Sequence, residues 1–379
     1  MIGDPTRFYP TWREQRLEGD RLVLDGLVAP DHRGPSAELA GFLGEWAGAW
    51  YWGDDSRSRL VLIRGSAPAR PERWLWHGAL LLAAVVTTLA AGAILTHAWV
   101  PPRTAGGLSG MVSGVILFAE FVVQGGWREL LPGWTFAAPL LGILLVHELG
   151  HYLAARRYAI DVSPPYFLPV PPTISPIGNL GAFIRIRSPV YDRRQLLDVG
   201  AAGPLAGFVV ALVVLWFGYG SSTRIEMIGT GSQSMVAFAG PPVVLGESLL
   251  TVLLRNWALP GSGPVVLSPM AFAGWVGMFV TALNLLPLSQ LDGGHVLYGL
   301  AGRFQTMISL AAVGVLLWLG FSAPMWWMWV ALTFVIGRGG WSHPSVVLPE
   351  RPALRRGRLV ALACIVVLVL TFVPVPFPR

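Results

Sequence analysis

Phe136-Ala-Ala-Pro-Leu-Leu-Gly-Ile-Leu-Leu-Val-His147-Glu148-Leu149-Gly150-His151-Tyr-Leu-Ala-Ala155 carries two histidines four residues apart, with a carboxylate between them, in a run that is otherwise apolar until Arg156 and Arg157. Positions four apart on a helix share one face, so both imidazoles can reach a single divalent ion while Glu148 lies beside the water that such an ion binds. Ionisable side chains inside an apolar span are costly and by default mark a functional site. The stretch therefore sets two expectations at once, a membrane-embedded helix and a metal centre built on it.

Composition agrees with the first. Of 379 residues, 54% are hydrophobic and only 13% charged, with mean hydropathy +0.58, against roughly 25% charged in an ordinary soluble domain. A polytopic α-helical membrane protein follows. The net charge of +6 comes from arginine alone, because the chain has no lysine, and the arginines cluster between apolar runs. Such clustering reports topology and contact with the lipid bilayer; no nucleic-acid motif accompanies it. Cys364 is the one cysteine and lies in an apolar run as helix filler, which excludes an intrachain disulfide and a Cys-type zinc site. Residues 1–30 are charged throughout, so no cleavable signal peptide is expected.

Residues 1–73 read as a small α+β cytoplasmic domain. Arg21 to Val28 and Arg59 to Arg64 alternate like strands, and Ala37 to Trp50 has the helical spacing of Leu39, Phe42, Leu43 and Trp46. Ala67 to Pro71 reads as a linker into the membrane domain, residues 74–379. A hydrocarbon core of about 30 Å needs about 20 residues of helix. Runs at 75–99, 137–157, 197–217, 268–291 and 359–376 qualify, and 307–321 with 324–337 reads as a tight helical hairpin. The N-terminal domain, residues 156–194, Arg303 and residues 338–358 are basic and should share the cytoplasmic side. That parity requires the stretches 109–124 and 236–258 to be re-entrant or interfacial. About seven spans result, with the N-terminus in the cytoplasm. Tryptophans near span ends, Trp74, Trp76, Trp99 and Trp326 among them, read as interfacial anchors.

A catalytic zinc takes three protein ligands and keeps one position open, so the two histidines need a partner. Glu120, Glu247 and Asp292 are the acids in or beside the remaining apolar segments, and Asp292 is the best placed. It ends a span in Asn284-Leu-Leu-Pro287-Leu-Ser-Gln-Leu-Asp292-Gly-Gly-His295, on the side where the His147 helix ends. Pro287, Gly293 and Gly294 break the helix there, and irregular backbone at membrane depth is tolerated where it lines a cavity. His295 reads as a partner of the ligands or as an alternative ligand, whereas His32, His77, His97 and His343 are assigned to no metal.

The pairing of His147-Glu148-Leu149-Gly150-His151 with Asn284 to Gly293, joined by Ala202-Gly-Pro-Leu-Ala-Gly207, resembles the site-2 protease family of intramembrane zinc metalloproteases. It looks most like the bacterial and plastid branch that lacks a PDZ domain and carries a small N-terminal domain. The resemblance covers residues 135–300 strongly. It implies one Zn2+ per chain held by His147, His151 and Asp292, with Glu148 as the catalytic carboxylate and Asn284 touching substrate. It also implies a membrane-associated β-hairpin that pairs with an extended substrate. Residues 161–189 fit, with Tyr166 to Val170 as one strand and Gly181-Ala-Phe183-Ile184-Arg-Ile-Arg187 as the other. Gly181, Phe183 and Ile184 are then substrate-contact candidates, while Gly203, Pro204 and Gly207 serve close helix packing.

The implied function is hydrolysis of peptide bonds in or near transmembrane segments of membrane-protein substrates. Two other classes compete: a non-catalytic scaffold that binds transmembrane helices, which metal analysis would separate, and a transporter, against which stand the absence of an inverted repeat and the scarcity of acids.

Overall fold

A computed structural model describes residues 5–16, 21–33, 36–65, 72–102, 107–225, 233–238, 241–337, 339–341, 343, 346–349 and 354–378. In the N-terminal region, β1 (Thr11–Arg16), β2 (Leu22–Leu27), α1 (Ala37–Glu45), β3 (Gly48–Trp52) and β4 (Arg59–Arg64) form an antiparallel sheet in the order β1-β2-β4-β3 with one helix. Leu24, Leu60 and Leu62 pack under Leu39, Phe42 and Leu43 of α1. Val23, Val61 and Ile63, on the opposite face, pack against Tyr158, Ile160 and Tyr191. Both faces of β2 and β4 are therefore covered, one by the region's own helix and the other by the rest of the chain.

Hydrogen bonds fix this docking. The buried Arg21 guanidinium donates to the Tyr158 carbonyl at 3.1 Å and to Ser188 Oγ at 3.3 Å. Tyr51 donates to Asp192 at 2.7 Å and Tyr191 to Asp25 at 3.1 Å. The two expected strands are present, but the helix expected to reach Trp50 stops at Glu45. Trp46 Nε1 donates to the Ile63 carbonyl at 3.2 Å, which turns the chain into the sheet, where the run Trp50-Tyr51-Trp52 suits a strand. The linker expected at Ala67 to Pro71 lies outside the described residues.

The helical part runs through α2 (Trp74–Leu95), α3 (Gly107–Phe121), α4 (Trp127–Leu130) and α5 (Trp134–Arg157) to a hairpin of β5 (Tyr166–Pro169) and β6 (Asn179–Phe183). Next come α6 (Arg193–Gly220), β7 (Thr223–Arg224), β8 (Ser234–Val236), β9 (Val243–Leu245), α7 (Leu249–Ala258) and β10 (Val265–Val266). The chain then forms α8 (Pro269–Leu285), α9 (Asp292–Ala301), α10 (Gln305–Leu319), α11 (Met325–Ile336) and α12 (Arg355–Thr371). Side-chain caps start three of these helices: Asp192 accepts from the Gln195 amide, Ser248 from Thr251, and Ser268 from Ala271. The apolar core, with Phe136, Leu140, Ile143, Leu215 and Phe272 at its centre, joins α2, α5, α6 and α8.

Four helical stretches are long and apolar enough to cross a membrane, 74–95, 107–157, 193–220 and 292–319, and two shorter apolar helices, 269–285 and 325–336, accompany them. The α10–α11 pair is the expected helical hairpin, and Cys364 is buried in α12. The stretch 236–258, expected not to cross, holds β9 and the ten-residue α7, about 15 Å long at 1.5 Å per residue and too short to cross. One expectation changes. The span expected over 268–291 ends at Leu285, so Asp292 does not close that span; it opens α9. Pro287 stops α8, and the chain turns back so tightly that a Cβ on Gly293 would stand 2.0 Å from the Leu285 carbonyl oxygen. Only glycine fits there, and the turn brings the Asp292 side chain back toward α5.

Candidate metal centre

His147, Glu148 and His151 are all buried on α5, and Asp292 reaches them from the start of α9. His147 Nε2 and His151 Nε2 each lie 3.2 Å from Asp292 Oδ2 and 3.2 Å from one another. Among the described residues this is the one group of three or more metal-ligating side chains close enough to hold a single ion. His151 Nδ1 lies 2.7 Å from the Val199 carbonyl of α6. A carbonyl oxygen only accepts, so Nδ1 carries a proton and Nε2 is the atom left to offer a lone pair to an ion. Two imidazole nitrogens and one carboxylate oxygen form a donor set that suits zinc.

The centre depends on how closely α6 approaches α5. A Cβ on Gly203 would lie 2.1 Å from His151 Nε2, one on Gly207 3.1 Å from His147 Cβ, and one on Gly200 2.7 Å from His295 Cβ. These positions line one face of α6 at helical spacing, so the glycines leave room for the imidazoles as well as for backbone contact. Reading Gly203 and Gly207 as packing residues identified the right face. Gly200 and the Val199 carbonyl were missed; the 200, 203, 207 spacing was the available signal for the glycine, whereas no side-chain pattern betrays a backbone acceptor.

A cavity of about 240 Å³ opens over His147, His151 and Asp292. Asn284 lines it from the end of α8, with Nδ2 3.4 Å from His147 Nε2. Ala182, Phe183, Ile184 and Ile186 line it from the hairpin side, with Glu148 beside them. Gly181 is not part of the lining; it sits in open space at φ +110°, its amide donating to Asn179 Oδ1 at 2.6 Å. His295 lines the cavity too, but its Nδ1 pairs with His343 Nε2 at 2.7 Å, and it is no member of the ligating group.

The hairpin is held in place at its base. Tyr166 pairs with Phe183 and Phe167 with Ala182, so the strand expected from Gly181 to Arg187 begins earlier and ends at Phe183. Arg187 forms a two-point bond to Glu72, at 2.6 and 3.0 Å, just before α2. His77 of α2 stacks on Tyr166 at 4.0 Å between ring centres. The Arg187 hydrogen bond holds the Glu72 carboxyl below its ordinary value, against partial burial that acts the other way. A group whose folded value is depressed contributes stability above its unfolded value and loses it as the pH falls through the folded one. Hairpin anchoring should therefore be intact at neutral pH and weaken on acidification below the ordinary carboxylate range. Amide exchange over residues 161–189, corrected for its intrinsic pH dependence, should show this step in the parent and lose it in Glu72→Gln; an identical step in both would exclude the anchor.

Comparison with known proteins identifies the same segment. The family model "Peptidase family M50" matches residues 135–322. A protein of Arabidopsis thaliana named probable zinc metalloprotease EGY2, chloroplastic, is 32% identical over 256 residues, covering 66% of this chain and 42% of that protein. EGY2 of Oryza sativa subsp. japonica is 33% identical, covering 66% and 44%. Arabidopsis EGY1, also named a probable chloroplastic zinc metalloprotease, is 33% identical, covering 65% and 44%. The chain thus spans less than half the length of the curated relatives it matches. No solved structure matches. With its histidine pair, its distant aspartate and the matched segment all falling in one helical core, residues 135–322 form a domain of peptidase family M50, the site-2 protease family.

Proposed function

We propose that the protein is an intramembrane zinc metalloprotease that hydrolyses peptide bonds in or near transmembrane segments of membrane-protein substrates. The observation that carries this reading is the convergence of His147, His151 and Asp292 beneath a cavity bordered by a β-hairpin. In this reading the three side chains hold one zinc ion, which when bound supplies Lewis-acid polarisation of a carbonyl and a water of lowered pKa. Glu148 takes the proton of the attacking water and passes it to the leaving amine. Asn284 donates its amide to the oxygen on which negative charge develops.

A transmembrane helix satisfies its own carbonyls, so a substrate must unwind before it can be cut. The free side of β6 near Ala182 to Ile184 offers backbone partners to an extended segment, which offsets part of that cost. Phe183 and Ile184 contact the substrate in this arrangement, whereas the Gly181 amide is already donated to Asn179 Oδ1. His295, tied to His343, borders the site without ligating.

We read the protein as crossing the membrane about seven times, with residues 1–73 as a distinct cytoplasmic domain in a bacterial cell. The support is the shared arginine-rich side of the N-terminal region, the α5 end and the α12 start. The test is metal dependence in proteoliposomes with a single-span substrate. A small organic zinc chelator should stop cleavage and a stoichiometric zinc salt should restore it; cleavage that continues in zinc-free protein would sink the assignment, and absence of any cleavage alongside tight helix binding would favour a scaffold.

A further inference from the structure

We infer that the junction between the N-terminal sheet and the helical core holds a binding cleft for the phosphate of an anionic phospholipid headgroup. A cleft of about 700 Å³ lies there, bordered by Trp50 and Trp52 of β3 and by Arg57, Arg157, Arg194 and Arg356. These four arginines come from parts of the chain far apart in sequence: the β3–β4 turn, the end of α5, the start of α6 and the start of α12. Folding has gathered like charges around one opening.

Arg194 is partly engaged, donating to the Trp52 carbonyl and lying over the Tyr51 ring at 5.4 Å, with Asp198 4.0 Å away. The Arg57, Arg157 and Arg356 side chains form no ion pair or hydrogen bond among the described residues. The nearby carboxylates face other donors: Asp198 accepts from the Tyr158 hydroxyl, Asp55 from the Arg355 amide at 2.8 Å and Asp54 from the Ser58 amide at 2.9 Å. Three guanidinium groups without an ion-pair partner are gathered here, and a multi-oxygen anion suits them because each planar fork can donate two hydrogen bonds to it.

The position of the cleft selects the source of that anion. The apolar run of α5 ends at Arg156 and Arg157, and that of α12 begins after Arg358. Two apolar helices thus terminate at the cleft, at the level where lipid phosphates lie, and tryptophan is favoured at the same level. A headgroup seated there would bridge the sheet and the helical core.

The experiment uses the purified full chain in neutral detergent, with retained phosphatidylglycerol and phosphatidylcholine measured by native mass spectrometry. Arg57→Gln, Arg157→Gln and Arg356→Gln combined should lower phosphatidylglycerol retention by about a hundredfold, and Arg356→Gln alone by about fivefold, as expected for roughly 1 kcal/mol per arginine. A control triple, Arg16→Gln, Arg128→Gln and Arg303→Gln, should retain lipid like the parent. Equal retention by the cleft triple and the parent would overturn the inference, as would equal loss in the control triple, which would report net charge alone. Binding of inorganic phosphate by the parent without preference for the anionic lipid would overturn the assignment to a headgroup. Because the readout is lipid retention, failure here is separable from failure of the protease reading.

Discussion

Glu148→Gln is expected to lower the cleavage rate in proteoliposomes by about 10³-fold, or about 4 kcal/mol of barrier, while zinc stays near one per chain. The side chain is buried on the same helix face as the histidines and borders the cavity, yet it stands outside the group of converging ligand atoms. An amide of nearly equal size fills the same space, so packing should be kept. What it cannot do is take a proton. The effect should fall on kcat with little change in KM, because the proton moves only as the reaction proceeds. A Gln variant that cleaves like the parent would remove Glu148 from the chemistry, and one that loses zinc would make it a ligand.

Different parts of the molecule were legible in the sequence to different degrees, for physical reasons. The HExxH face was readable because the helical repeat alone puts residues 147 and 151 side by side. Asp292 was readable as the neighbour of a helix break, since Pro287, Gly293 and Gly294 have few other uses inside an apolar run, whereas Asn284 came only from the family resemblance. The break was expected at Pro287, but not the helix that follows it, because a run of apolar residues looks continuous whether or not its backbone is helical. α9 therefore went unseen as a separate helix. β1 was missed because Thr11 to Arg16 is largely exposed and shows no alternation, and β3 because its aromatic residues also satisfied a helical spacing. The docking of the N-terminal sheet was hidden for a related reason: β2 and β4 are buried on both faces, so their sequences look like an ordinary small core.

The second large effect is expected at a residue with no chemistry of its own. Gly203→Ala should lower zinc occupancy well below one per chain and remove cleavage with it, although every ligand is still present. The added methyl carbon would lie 2.1 Å from His151 Nε2 and 2.4 Å from Cδ2, far inside any contact distance. The ring cannot swing aside freely, because its Nδ1 proton is held by the Val199 carbonyl at 2.7 Å on the same helix. Either that bond breaks or α6 moves away from α5, and α6 is anchored at its start by the Tyr51–Asp192 hydrogen bond. Overpacking of this kind costs typically about 1–3 kcal/mol, which should also lower the thermal midpoint by a few degrees. Gly142→Ala, on α5 itself with open space around the new methyl group, is the matched control and should behave like the parent. Zinc measured per chain, beside cleavage rate, separates the alternatives. Full zinc with full activity in Gly203→Ala would mean that α6 does not confine His151. Full zinc with lost activity would mean that the methyl group blocks the substrate's path and leaves the ligands alone.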